Sequence, residues 1–319
     1  MSQLIQFAHI GLPKSASTWL QTTLFADHPN LQVVTKCGAY SPQPYDALKN
    51  FRTQPSEDFD AAFWHGRFAD EFSRYLDWNK TIGISDEEFA NGGIMHNDPT
   101  MLSRIRQVFG DIKIILVLRH PIQYLRSAYG EYISKGGRQS PDQFYNPERA
   151  ARLAKRIDFP ALVQDIRRLF SADNILILPF EMIVQEGEQA FADAICDFLK
   201  VTRITISKGE RNRGLTTASL PFFRYCNTFD KAVAEKLFKN EPRLRTHYVL
   251  DRFLARVPLD KNAPRLPLPP VELVARLPEV ERILKTERYQ FWRGDLSKYN
   301  YDLGEYDFAA RREKADVGG

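Results

Sequence analysis

Cysteine is scarce in this chain: three residues in 319, Cys37, Cys196 and Cys226, all far apart. An odd number without a C-x-x-C pair excludes a disulfide framework and leaves buried free thiols in a reducing compartment. The six histidines include no H-E-x-x-H, so no zinc site is expected. Long apolar runs are missing too. Nothing approaches the ~18 residues of a membrane span. The N-terminal stretch lacks a basic region and a small-residue cleavage site, so the chain reads as soluble and cytoplasmic. The net charge is only +4, and no dense Lys/Arg stripe is present. That excludes a nucleic-acid surface while suiting a small anionic ligand.

What is present is an ordinary globular composition, 43% apolar and 26% charged. The length suits one elaborated domain. Short apolar runs alternate with longer helical patterns, which predicts an α/β fold with a mainly parallel sheet flanked by helices. Strands are expected at Leu4–Ile10, Leu31–Thr35, Thr81–Ser85, Lys113–Leu118 and Asn174–Leu178, with a helix starting near Thr18 and another over Gln189–Leu199. Residues 1–257 read as the α/β domain. Residues 258–270 form a Pro-rich connector, and 271–319 a helical segment with a tail.

Gly11-Leu-Pro-Lys-Ser-Ala-Ser-Thr-Trp-Leu20 joins the first strand to the first helix. Helical N–H groups without partners and a positive helix dipole favour an anion there. Gly11 is expected to permit a sharp turn. Lys14 supplies a charge, and Ser15, Ser17 and Thr18 supply hydroxyls and backbone donors. The stretch departs from G-x-x-x-x-G-K-[ST], because only two residues separate Gly11 from Lys14 and the second glycine is absent. The strand Lys113–Leu118 ends in Arg119, where a nucleotide-dependent kinase would place a magnesium-binding aspartate. Both departures disfavour metal-dependent phosphoryl transfer.

This loop resembles the 5′-phosphosulfate loop of the sulfotransferases that use 3′-phosphoadenosine 5′-phosphosulfate (PAPS), commonly P-K-[SA]-G-T-[TS]-W-L. Ala16 and Ser17 depart from it. Arg119-His-Pro-Ile-Gln-Tyr-Leu-Arg-Ser127 is similar to the family's 3′-phosphate motif, R-x-P-x-x-x-x-x-S. The resemblance implies that Lys14, Ser15, Ala16, Ser17, Thr18 and Trp19 surround the 5′ end, and that Arg119 and Ser127 hold the 3′-phosphate. Arg211, Asn212 and Arg213 fall where family members carry a loop closing over that phosphate, and Glu181 falls in a structural "YE" segment. The implied reaction is sulfuryl transfer to a hydroxyl or amine without a metal, leaving 3′-phosphoadenosine 5′-phosphate (PAP).

The acceptor needs a general base. Glu87, with Glu88 second, lies at a strand end in Ile82–Phe89 and resembles an S-x-E pattern of bacterial members. Adjacent glutamates also serve to complement a helix dipole; His65 and His96 are the other candidates. A glycan, a glycolipid or a small hydroxylated metabolite is the expected acceptor. A kinase and a non-catalytic nucleotide- or glycan-binding module are the alternatives.

Overall fold

The computed structural model describes residues 4–36, 42–90, 99–134 and 137–206. Two compact units are present: the first holds residues 4–120 and 152–206 of this set, the second residues 121–151.

The first unit is built on five parallel strands: β1 (Phe7–His9), β2 (Leu31–Val34), β3 (Thr81–Ser85), β4 (Lys113–Leu118) and β5 (Ile175–Pro179). Their spatial order is β2-β3-β1-β4-β5, and every neighbouring pair is parallel. The chain fills one side of β1 first and then crosses to the other. Its direction of travel therefore reverses between β1 and β4, where the carboxyl ends of the strands open a crevice. β1 is three residues long, shorter than the apolar run Leu4–Ile10 predicts. β4 carries the run Ile-Ile-Leu-Val-Leu buried throughout, the mark of a central parallel strand covered on both faces.

Gly83 in β3 stands opposite Phe7 of β1. A Cβ there would lie 2.2 Å from the Phe7 ring, so the glycine exists to admit that ring to the sheet face. On this face a helical run follows the first loop: α1 (Ser17–Trp19), a π-helical turn (Leu20–Leu24) and α2 (Phe25–Asp27). With α11 (Glu188–Leu199) it buries Phe7, Leu20, Phe25, Ile115, Val117 and Phe191 in one cluster. Fully burying each such side chain contributes roughly 1.5–3 kcal/mol.

Three further helices pack in series, α3 (Pro42–Thr53) on α4 (Ala61–Tyr75) and α4 on α5 (Pro99–Phe109). Their core is aromatic: Phe51 meets Trp64 and Phe68 at 5.4 Å between ring centroids, and Phe68 meets Phe109 at 5.1 Å. α4 starts sharply because the Asp60 carboxylate accepts from the N–H groups of Ala62 and Phe63. α9 (Phe159–Leu169) packs on α5, and α10 (Glu181–Gln185) follows β5.

The second unit holds α6 (Pro121–Ser134) and α7 (Pro141–Phe144), with α8 (Pro147–Arg156) running across its boundary. Proline opens each of these helices, where its missing N–H costs nothing. Phe144 packs on Tyr129 and Tyr132, and the Tyr145 hydroxyl donates to the Leu125 carbonyl at 2.8 Å. The expected Pro-rich connector and the C-terminal helical segment lie outside the described residues.

Candidate functional site

The loop after β1 is shaped by two left-handed residues, Lys14 (φ 65°) and Ala16 (φ 63°). Such alternation turns successive backbone N–H groups toward one side and forms a concave anion seat. The Ser15 N–H donates to the Leu12 carbonyl at 3.3 Å, and the Ser17 hydroxyl donates to the same oxygen at 3.3 Å. Ala16 caps α1 without a side-chain bond, at the position where the resemblance calls for glycine. The positive φ supplies the physical reason for that preference.

Gly11 corrects an expectation. Its φ is not positive, so it is not there to turn the chain. A Cβ on Gly11 would lie 2.4 Å from Nε2 of His9 and 3.1 Å from the Ser17 hydroxyl. The imidazole occupies the space a side chain would need.

The cation after β4 meets this loop. Arg119 donates from Nη1 to the Lys14 carbonyl at 2.9 Å, and its guanidinium lies 4.7 Å from the centroid of the Phe180 ring. The next backbone N–H, of His120, donates to Glu181 Oε1 at 3.0 Å. Glu181 thus fixes the turn that presents Arg119, a structural role. Within the loop the Ser15 hydroxyl is fully buried and has no hydrogen-bond partner among the described residues. Trp19 stands edge-on to Phe191 at 5.9 Å, and Thr18 is exposed. The loop thus combines two left-handed residues, a lysine and a neighbouring arginine, an arrangement suited to an anion.

The end of β3 is more elaborate than its two glutamates foretold. Asp86 is buried and was not singled out by sequence. It binds Arg52 of α3 through Oδ2 at 2.8 Å and accepts from the Glu88 N–H through Oδ1 at 2.9 Å. Burial raises its pKa above the ordinary carboxylate value, and the Arg52 charge opposes that rise. Glu87, partly exposed, accepts from Lys36 Nζ. Asp86 therefore shapes the turn, while Glu87 presents its carboxylate beside a lysine. An acidic residue directly after a buried strand, with an arginine in a preceding helix, was the only available signal for Asp86.

A third group also escaped sequence reading. His9 Nδ1 lies 2.8 Å from Ser85 Oγ, and Gln21 Nε2 donates to the same oxygen at 3.0 Å. All three residues are buried. Burial lowers the His9 pKa to about 3, so the ring is neutral.

Ser127 lies on α6 in the second unit, half-buried. His65 sits on α4 rather than at a strand end. His96 and the loop Arg211, Asn212 and Arg213 lie outside the described residues, as do Cys37 and Cys226. Cys196 is a free, buried thiol of α11. Among the described residues no helix is long and apolar enough to cross a membrane.

A parallel sheet with an anion-type loop at its reversal point defines an α/β protein of the doubly wound class. Residues 8–204 match the sequence profile described as "Sulfotransferase family", and the chain belongs to that family; it is a sulfotransferase. Among solved structures, a sulfotransferase from Alicyclobacillus acidocaldarius is similar at 15% identity and a TM-score of 0.48, over 72% of this chain and 95% of that one. A sulfotransferase domain from the curacin biosynthetic pathway is similar at 18% identity and a TM-score of 0.39, over 82% of this chain and 99% of that one. A mouse sulfotransferase, SULT7A1, complexed with PAP shares 11% identity at a TM-score of 0.35, over 72% of this chain and 66% of that one. No curated protein matches the chain.

Proposed function

We propose that the chain transfers the sulfuryl group of PAPS to a hydroxyl or amine, in line and without a metal. The observation that carries this reading is the bond from Arg119 to the Lys14 carbonyl, which joins a phosphate-type loop to a cation where a metal-binding aspartate would otherwise stand. In this reaction the acceptor oxygen or nitrogen bonds to sulfur while the bond from sulfur to the 5′-phosphate oxygen breaks. PAP leaves with the electron pair of that bond.

Lys14 stabilises the charge that grows on the bridging oxygen, and Ser15, Ala16, Ser17 and Thr18 hold the non-bridging oxygens by amides and hydroxyls. Trp19 borders the same seat. Arg119 and Ser127 take the 3′-phosphate, with Arg211, Asn212 and Arg213 as the loop that covers it. Glu87 accepts the acceptor's proton, after leaving Lys36, and Glu88 is the second choice for that role. A carbohydrate, a glycolipid or a small hydroxylated metabolite is the acceptor class, and the odd number of widely spaced cysteines supports a cytoplasmic setting.

Transfer from labelled PAPS to a panel of such acceptors, run in EDTA, tests the reading. Activity persists in EDTA and is lost in Lys14→Ala. Transfer that survives Lys14→Ala would overturn the mechanism, and loss in EDTA would overturn its metal-free step.

A further inference from the structure

Below the donor loop lies a closed polar group that the sulfuryl chemistry described above does not use. His9 ends β1, two residues before Gly11, on the sheet face that also carries Phe7 and that Phe25 of α2 covers; its ring meets Phe25 edge-on at 6.0 Å. Ser85 ends the neighbouring strand β3 and pairs with His9 in register. Gln21 comes from the π-helical turn behind the loop. π-turns recur where a helix must aim one side chain out of register, and here that side chain is the amide reaching Ser85.

The three groups settle the position of one proton. The Gln21 amide nitrogen lies 3.0 Å from Ser85 Oγ and 3.4 Å from the Ser85 carbonyl, so it is the donor to the hydroxyl. The Ser85 hydrogen then goes to His9 Nδ1, 2.8 Å away. With Nδ1 accepting, the neutral ring carries its hydrogen on Nε2. The opposite tautomer would strand the Ser85 hydrogen inside the core. Nε2 itself is buried and has no partner among the described residues. Its neighbour is Gly11, whose missing side chain leaves room for the ring. A buried N–H without an acceptor is costly. This one is held in place by two other residues and directed at the first residue of the donor loop.

We propose that His9 is a positioning residue of the donor site, whose Nε2–H, fixed by Ser85 and Gln21, is taken up by an oxygen at the loop when the nucleotide's 5′-phosphate is seated. The same group ties the loop after β1 to the end of β3, two residues before Glu87. Seating the donor and holding the base candidate thus share one hydrogen-bonded brace. The inference rests on the PAPS reading of the loop.

Two measurements with PAP as the probe test it. In nitrogen-15 spectra of the wild-type histidines, His9 shows the Nε2–H tautomer, and saturating PAP shifts that N–H downfield. An Nδ1–H tautomer, or an N–H that PAP leaves unmoved, overturns the proposal. By calorimetry, His9→Asn keeps a polar atom near Ser85 but loses the donor at the loop, and binds PAP about tenfold more weakly or worse. His9→Gln places an amide N–H near the Nε2 position and stays within about threefold of wild type. Equal affinity in wild type and His9→Asn overturns the proposal, as does an equal loss in both variants. If the wild-type protein binds no PAP at all, the donor reading itself has failed. The spectra need no variant, so a poorly folding substitution leaves the test intact.

Discussion

Arg119 reaches from the end of β4 to the carbonyl oxygen of Lys14 at 2.9 Å, so two segments separated by 105 residues share one bond at the loop. Arg119 is therefore a brace for the loop as well as the proposed ligand of the 3′-phosphate. Replacing it with alanine weakens 5′-AMP binding through the lost brace and weakens PAP binding further. Titration calorimetry reads the difference, expected at about tenfold or more for a charge-assisted contact. Equal losses for the two nucleotides leave Arg119 only its bracing role.

Gly11 and His9 form a matched pair. Gly11→Ala puts a methyl group 2.4 Å from Nε2, an overpacked contact that lowers stability by about 1–3 kcal/mol. His9→Ala in the same chain removes the obstacle. A double-mutant cycle in urea then returns a coupling of about 1 kcal/mol or more, and strictly additive losses would contradict the contact.

Ala16 holds a backbone conformation that strains an L-residue by roughly 1–2 kcal/mol. Ala16→Gly relieves this strain while giving the unfolded chain about 0.4–1 kcal/mol of extra freedom. The net expectation is a gain of roughly 0.5–1 kcal/mol in thermal unfolding. A fall in Tm would show that the loop does not hold this conformation in solution.

His9 makes stability depend on acid. Its folded pKa of about 3 lies below the ordinary 6.5, so the unfolded chain binds the proton more readily. The contribution is complete above about pH 6.5 and is lost as pH falls toward 3, with a slope approaching about 1.4 kcal/mol per pH unit. Asp86, raised by burial, acts in the opposite sense: its contribution is complete below the ordinary carboxylate value and is lost as pH rises above it. Denaturation at several pH values should show a shallower acid limb in His9→Gln than in wild type. Identical limbs would mean that His9 is not held neutral.

Glu87→Gln is expected to lower turnover by about a hundredfold or more while leaving PAP affinity close to wild type, measured by labelled transfer and calorimetry. An unchanged rate moves the role to Glu88. Lys36→Met removes the partner of Glu87. With side chains 42% and 20% exposed, that pair is worth less than about 1 kcal/mol to stability, so a larger loss in denaturant would be inconsistent with a surface contact.

The sheet was legible because strands buried on both faces are written as unbroken apolar runs. Lys113–Leu118 and Thr81–Ser85 match their strands end to end, and Leu31–Thr35 and Asn174–Leu178 match within a residue. Lys14 was legible as a charge in the loop after the first strand, and Arg119 as one at a strand end. What stayed hidden depends on tertiary partners. Asp86 is defined by Arg52, 34 residues earlier, and no local period links the two. His9 reads as one more residue of a buried run until β3 brings Ser85 beside it. The role of Gly11 was misjudged for the same reason: a glycine that makes room for a neighbour is indistinguishable in sequence from one that turns the chain.

The strand order β2-β3-β1-β4-β5 also sets a timetable for synthesis. β1 leaves the ribosome first, yet its sheet partners are β3 and β4, and the Lys14 carbonyl gains its arginine only when residue 119 has followed. β5 and Glu181, which hold the turn beside Arg119, come some sixty residues later still. A nascent chain halted before β4 carries the loop after β1 without its clasp. Anion binding by a growing chain is accordingly a late signal, one that reports closure of the central sheet rather than emergence of the loop.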